Sequence, residues 1–149
     1  MKAENLNFSE IVGIVNEPNR CSGGAKTIRQ ILRNVYLAPG SIIVELGSNT
    51  GFSSLEFALN RPDCKIIGVD INQKSVEISK NKAEKSNLRN VEFICENMLD
   101  SSIANNSVDL LFVSNVTSFV NEREKAVLEY KRILKPNGIL AFVPIYYIE

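Results

Sequence analysis

Residues 41–51 are Ser-Ile-Ile-Val-Glu-Leu-Gly-Ser-Asn-Thr-Gly, a short β-branched run that ends in a polar turn bounded by two glycines. The apolar part predicts a buried strand, and the turn predicts a tight passage into a helix over Phe52–Asn60. Four further strands are predicted, over Lys65–Asp70, Asn90–Cys95, Ser107–Val113 and Ile139–Val143. Continuous apolar strands that alternate with helices predict an α/β fold, doubly wound around a mostly parallel sheet.

The helices between these strands carry recognisable periodicity and capping signals. Apolar residues at helical spacing predict a first helix from about Gly24 to Tyr36, and Leu55, Ala58 and Leu59 are expected to face inward in the second. Asn72 is placed to cap the third helix. Asn121, followed by Glu124, resembles a capping box for the last helix, and Asn137-Gly138 predicts the turn into the fifth strand.

Length and composition favour one domain over residues 1–149, divided into an N-terminal segment 1–23 and an α/β core 24–149. The chain has 17 Lys and Arg against 17 Asp and Glu, so its net charge is zero. A nucleic-acid partner is therefore not expected, since phosphate binding needs an excess of cations. The chain has no histidine, which excludes an imidazole base or ligand from its own residues.

The cysteines and the chain ends indicate a cytoplasmic protein without a membrane anchor. Cys21, Cys64 and Cys95 are widely spaced and form no CxxC pair, so no metal site is predicted and reduced thiols are expected. The N-terminus lacks the apolar core of a signal peptide. The longest apolar run, Ile139–Ile148, is interrupted by Pro144 and is shorter than the roughly 20 residues that span a bilayer.

The residues that follow the first two strands point to a ligand site. In a doubly wound sheet, ligands bind beyond the carboxyl ends of the strands. Gly47 and Gly51 permit a close backbone approach there, and Asp70 follows Gly51 by 19 residues, the separation at which an acid meets a ribose. The dinucleotide fingerprint fails at Asn49 and Phe52, where glycines are required, so an NAD-dependent oxidoreductase is a disfavoured alternative.

Five segments resemble, in order and spacing, the motifs of class I S-adenosylmethionine-dependent methyltransferases. They are Val44–Gly51, Gly68–Asn72, Val91–Met98, Asn106–Phe112 and Leu134–Leu140. Cys21-Ser22-Gly23-Gly24, followed by Thr27, is similar to the glycine pair that closes over the methionine end of the cofactor in some small-molecule methyltransferases. The resemblance implies a Rossmann-like core, S-adenosylmethionine as cofactor and a small molecule as methyl acceptor.

The resemblance also implies roles for individual residues. Gly47, Ser48 and Gly51 would approach the methionine part of the cofactor, with Asn49 in the same turn, and Asp70 would hold the ribose. On the adenine side, Ile71 and Met98 would flank the ring and Asn97 would bond its edge. Glu45 would orient the turn or a water near the amino group, and Ser114 follows the fourth strand, where the methyl group points. No catalytic base is identified. The predicted cofactor-binding set is Glu45, Gly47, Ser48, Asn49, Gly51, Asp70, Ile71, Asn97, Met98 and Ser114.

The sequence departs from the family pattern at three places. Asn49 stands where the family has a second glycine, Asn97 replaces an acidic residue, and the sequence ends at Glu149, just after the fifth strand and without the usual antiparallel strand pair. A non-catalytic S-adenosylmethionine-binding module, or one half of a split or truncated methyltransferase, is therefore the alternative. The uncovered fifth strand, with apolar residues 145–148 beside it, predicts self-association through that edge.

Overall fold

The computed structural model describes residues 21–144 of the chain. A parallel sheet and its helices account for most of this stretch. In chain order the elements are α1 (Ala25–Asn34), β1 (Ile42–Leu46), α2 (Phe52–Asn60), β2 (Lys65–Asp70), α3 (Gln73–Lys85), β3 (Val91–Cys95), β4 (Val108–Ser114), a 3-10 turn (Thr117–Phe119), α4 (Arg123–Ile133) and β5 (Leu134–Val143). Every run predicted to be a strand forms one.

The five strands are all parallel and lie in the order β3-β2-β1-β4-β5. The chain builds outward from β1 to β3, then crosses back to place β4 on the other side of β1. The strand order therefore reverses between β1 and β4, which is where a doubly wound sheet opens a crevice at its carboxyl edge. The predicted α/β, doubly wound fold is confirmed, with no antiparallel strand among residues 21–144.

Two apolar clusters cover the two faces of the sheet. One contains Ile43, Phe57 and Phe112 and joins β1 and β4 to α1 and α2, with the rings of Phe57 and Phe112 packed edge to face at 5.4 Å. The other contains Val44, Leu111 and Tyr130 and joins the opposite face to α4. Because alternate residues of each strand enter different clusters, both faces are buried, as continuous apolar strands require.

One of the two predicted helix caps is present in the structure. Asn72 caps α3 as predicted, since its side chain accepts a hydrogen bond from the backbone N–H of Ser75 at 3.0 Å. The predicted capping box is wrong, because α4 begins one residue later, after Glu122, without a side-chain cap. The inward position predicted for Leu59 is also wrong. Its side chain is 58% exposed, while Ser53 and Ser54 of the same helix are buried.

The fifth strand begins earlier than predicted, at Leu134, and contains the predicted Asn137-Gly138 turn as a bulge. Residues 135–138 of β5 lie opposite the single residue Asp109 of β4. The Asp109 carboxylate accepts hydrogen bonds from Lys135 Nζ and from the backbone N–H of Ile42, both at 2.8 Å. This side chain therefore fastens β1, β4 and β5 together at the amino edge of the sheet.

No helix within residues 21–144 is long and apolar enough to cross a membrane. The predicted N-terminal segment 1–23 falls mostly outside the described residues, and so do the apolar residues 145–148.

Candidate functional site

The turn after β1 is bent toward β2 by backbone hydrogen bonds. The N–H groups of Gly47 and Ser48 both donate to the carbonyl of Val69, at 2.8 and 2.9 Å. Gly51 then begins α2 with a φ of +86°, and a Cβ at this position would lie 2.8 Å from Ser79 Oγ. The positive φ and the close approach of α3 therefore require a glycine here, whereas the sequence analysis attributes this glycine to a tight turn and to the approach of a ligand.

Asp70, the predicted ribose ligand, is also the brace of this turn. Its Oδ2 accepts the backbone N–H of Asn49 at 2.7 Å, and its Oδ1 accepts that of Asn72 at 2.9 Å. Burial raises the pKa of Asp70, whereas these two N–H groups oppose the rise. Each carboxylate oxygen keeps lone-pair capacity for a further donor. Asp70 can therefore position the turn and accept ligand hydroxyls at the same time.

Helix α3 holds the same turn from behind, through two residues that the sequence analysis missed. Ser79 Oγ donates to the carbonyl of Asn49 at 3.0 Å, and Lys82 Nζ donates to the carbonyl of Thr50 at 3.1 Å. Ser79 and Lys82 lie about 30 residues from the turn in sequence, and no local pattern marks them. Burial lowers the pKa of Lys82. The turn is thus fixed by side chains on two sides.

Glu45 points from β1 into a buried polar cluster rather than into solvent. The residue is 4% exposed, and Ser54 Oγ donates to its Oε2 at 2.5 Å. Burial raises the pKa of Glu45 to about 7, against the lowering effect of the Ser54 and Ser53 hydroxyls, and the nearby charge of Asp70 adds to the rise. A carboxyl group with this pKa exchanges a proton near neutral pH and favours a cation beside it.

The segment before α1 closes over the end of β4. Cys21 is buried against the same polar cluster, and burial raises the pKa of its thiol, an effect that the hydroxyls of Ser53 and Ser114 oppose. Asn115 Nδ2 donates to Ser22 Oγ at 3.3 Å. The structure therefore brings Cys21, Glu45 and Ser114 together at the point where β1 and β4 diverge.

The residues predicted to line the adenine lie at the ends of β2 and β3. Ile71 is 70% exposed beyond Asp70, whereas Met98 is 9% exposed and packs into the α4-side core. Asn97 is exposed, and its Oδ1 accepts the backbone N–H of Leu99 at 2.9 Å, which leaves its amide donors for other contacts. Cys95 pairs with Asp70 in the sheet and is exposed. Ile71 therefore offers an exposed apolar side chain next to Asp70, whereas Met98 packs into the core.

Two buried side-chain atoms in the turn fit a polar ligand. Ser48 Oγ and Asn49 Oδ1 have no hydrogen-bond partner within the described part of the chain. Buried polar atoms are nearly always satisfied, so these positions are suited to donors and acceptors supplied by a ligand. Together with Asp70 and the cation-favouring Glu45, the residues fit the hydroxyls and the ammonium group of S-adenosylmethionine. Residues 21–144 contain no group of three His, Cys, Asp or Glu side chains able to hold a metal ion.

Comparison with known proteins gives one family and many relatives. A family model described as a methyltransferase domain matches residues 44–142. Similar curated proteins include an arsenite methyltransferase from Halobacterium salinarum, 28% identical over 70% of this chain and 27% of its own length. A thiol S-methyltransferase from Rattus norvegicus is 34% identical over 67% of this chain and 41% of its own. The matched part of this chain thus spans between about a quarter and two fifths of the length of these two relatives.

Solved structures agree on the fold. A SAM-dependent methyltransferase from Aquifex aeolicus superposes with a TM-score of 0.76 at 21% identity, over 92% of this chain and 72% of its own. A geranyl diphosphate C-methyltransferase from Streptomyces coelicolor, solved with S-adenosyl-L-homocysteine, superposes with a TM-score of 0.74 at 18% identity. The match covers 80% of this chain and 45% of that protein. With the family model covering most of the described sheet, this chain belongs to the S-adenosylmethionine-dependent methyltransferases, of the Rossmann-like class I fold.

Proposed function

We propose that this chain is the cofactor-binding core of a methyltransferase that transfers a methyl group from S-adenosylmethionine to a small molecule. The observation that carries the proposal is Asp70, which holds the glycine turn through Asn49 and keeps acceptor capacity for sugar hydroxyls. The names of the relatives supply further support, because they include enzymes that act on arsenite and on thiols.

The proposed reaction does not require a general acid or base from this chain. When bound, S-adenosylmethionine supplies a methyl group on an electrophilic sulfonium, which a nucleophilic N, O, C or S atom displaces in line. We propose that Asp70 and the glycine turn fix the cofactor's position and that Glu45 compensates its ammonium charge, directly or through a water. We propose that the segment before α1, residues 21–24, shields the methyl group of the cofactor from water. Positioning and water exclusion can then account for much of the rate.

A binding measurement tests this proposal. We expect calorimetric titration of the full chain to give micromolar binding of S-adenosylhomocysteine and none of NAD, since Asn49 and Phe52 break the dinucleotide fingerprint. Binding of NAD without a response to S-adenosylhomocysteine would overturn the assignment.

The role of Asp70 can be separated from its role in the fold. Asp70→Asn keeps the size of the side chain but removes the charge and one acceptor, so we expect at least tenfold weaker binding of S-adenosylhomocysteine. Because two backbone N–H groups depend on Asp70, thermal stability should also fall, and binding should be measured well below the melting temperature. Asp63→Asn, at an exposed acid paired with Arg61, is the matched control. Equal affinities in parent and Asp70→Asn would remove Asp70 from the site.

The alternative function is a non-catalytic binding module or one part of a split methyltransferase. It is favoured by the outer side of β5, which no other strand of residues 21–144 covers, and where Leu140 and Phe142 are 44% and 43% exposed beside a cavity of about 740 Å³ next to α4. Incubation with radiolabelled S-adenosylmethionine and a panel of thiol, phenol and amine acceptors distinguishes the two. Cofactor binding without methyl transfer to any acceptor would favour the alternative.

We further propose that the chain forms one cytoplasmic domain that self-associates through β5. An unpaired strand edge with apolar side chains tends to recruit another strand, and Pro144 limits how far the pairing can extend. Light scattering of the full chain should show a dimer that Phe142→Lys dissociates, whereas Lys80→Glu, at an exposed position of α3 outside the cavity next to α4, should leave it intact. A monomer at high concentration would contradict this interface.

A further inference from the structure

Asn49 is held in a fixed orientation by bonds to its backbone. Its N–H donates to Asp70 Oδ2 at 2.7 Å, and its carbonyl accepts from Ser79 Oγ at 3.0 Å. Its φ is +48°, in the left-handed region where glycine is the least strained residue. Neither hydrogen bond uses the side chain, so the backbone of the turn would be served equally well by glycine. The presence of an amide at this position therefore needs a separate explanation.

The side chain of Asn49 differs in its surroundings from those of three of the four other left-handed asparagines. The fourth, Asn115, lies just after β4 with a φ of +57°, and its Nδ2 donates to Ser22 Oγ at 3.3 Å. Asn87, Asn106 and Asn137 also have positive φ values, of 52°, 51° and 66°, and all three are exposed. At Asn49, by contrast, the side-chain oxygen is buried and has no hydrogen-bond partner among residues 21–144. An unsatisfied buried acceptor destabilises a protein unless something else supplies the donor.

The position of Asn49 indicates which donor that is. Its backbone N–H donates to the Asp70 carboxylate, which is the group that we assign to the sugar. The side-chain amide of Asn49 therefore starts from a backbone that is in contact with that carboxylate. Each oxygen of Asp70 already accepts one backbone N–H and keeps one lone pair, so this carboxylate has no acceptor to spare once it binds a vicinal diol. The side-chain oxygen of Asn49 adds a further acceptor next to Asp70, and a sugar hydroxyl is a donor that this oxygen can use.

From this geometry, and resting on the proposed cofactor, we propose that the Asn49 amide is a sugar-binding group that accepts a hydrogen bond from a ribose hydroxyl of the cofactor. The residue thus adds a contact that glycine, the usual residue of the family at this place, cannot make. Asp70 and Asn49 then share the two hydroxyls, and Ser79 acts as a positioning residue that keeps the amide in register.

Asn49→Gly tests the inference, since it removes the amide and keeps a residue suited to the positive φ. We expect the dissociation constant for S-adenosylhomocysteine to rise about three- to tenfold, as for the loss of one neutral hydrogen bond, with little change in the melting temperature of the free protein. Asn87→Gly makes the same substitution at an exposed left-handed position after α3 and should leave the affinity unchanged.

A second ligand identifies the part of the cofactor that is contacted. 5′-Methylthioadenosine carries the ribose and adenine but lacks the amino-acid end. If Asn49 contacts the sugar, Asn49→Gly weakens both ligands by the same factor. A penalty confined to S-adenosylhomocysteine, or no penalty with either ligand, would overturn the inference while leaving the proposed function standing. Failure of the parent protein to bind either ligand would overturn both.

Discussion

Glu129 and Glu45 are both buried glutamates, with 6% and 4% of their surfaces exposed, but they have opposite electrostatic surroundings. The Glu129 carboxylate in α4 accepts from Arg132 at 2.6 Å and from the N–H and hydroxyl of Ser101. Arg132 chiefly holds the pKa of Glu129 near 2. Glu45 has hydroxyl neighbours and the charge of Asp70 instead, and its pKa is raised to about 7.

The difference separates a structural acid from an acid suited to a ligand. Glu129 carries its own cation, which also donates to the carbonyls of Ser101 and Ile103 and fastens the loop before β4 onto α4. Glu45 has no Lys or Arg partner in the described stretch, although a buried carboxylate is costly without one. A cation that arrives with the ligand would supply the missing charge.

Removing the internal cation should have the largest effect. Arg132→Met keeps much of the aliphatic stem but leaves Glu129 buried and unpaired, so we expect a loss of about 3 kcal/mol in the free energy of unfolding at pH 7. Lys131→Met, at the exposed neighbouring position, should change it by less than about 0.5 kcal/mol. Urea denaturation measures both. Equal losses would mean that the buried pair contributes no more than a surface charge.

Neutralising Glu45 should have the opposite effect on stability. Its folded pKa of about 7 lies above the unfolded value of about 4.3, so the parent loses stability progressively as the pH rises between these two values. Glu45→Gln lacks this loss. Relative to the parent, the unliganded variant should gain about 2 kcal/mol in the free energy of unfolding between pH 5 and pH 8. Parallel pH profiles for the two proteins would place the Glu45 pKa near its ordinary value.

Ser54→Ala should have a smaller effect on stability, through the pKa of Glu45. Its hydroxyl lowers the pKa of Glu45, so its removal should raise the pH at which the stability loss is complete by up to about one unit, which enlarges the loss by up to about 1.4 kcal/mol. The double variant with Glu45→Gln should have the same pH profile as Glu45→Gln alone. A difference between these two profiles would assign the effect of Ser54→Ala to another titrating group.

Local patterns predicted most of the fold. The bounds of β2 and α2 agree with prediction because a β-branched run and a glycine-to-asparagine stretch define them within a few residues. The predicted capping box at Asn121 failed because capping depends on where the helix starts, which contacts elsewhere in the fold decide.

The electrostatics of the site could not be read from the sequence. Asp70 is recognisable from its spacing and Glu45 from the family resemblance, but the hydroxyls that surround Glu45 come from α2, where they had no predicted role. The support of the turn by Ser79 and Lys82 joins residues about 30 positions apart. Sequence motifs select these two acids as candidates, whereas their protonation depends on burial and on partners that only the packed structure reveals.

The strand order also has a consequence for how the chain folds. β1, β2 and β3 pair with their neighbours in sequence, whereas β4 must return to β1 across more than 60 residues. Because closing a long loop is slow, the β1–β4 seam should form after the first three strands have associated. The half of the cleft that contains Asp70 would then appear early in folding, and the half beside Ser114 only when β4 has paired with β1.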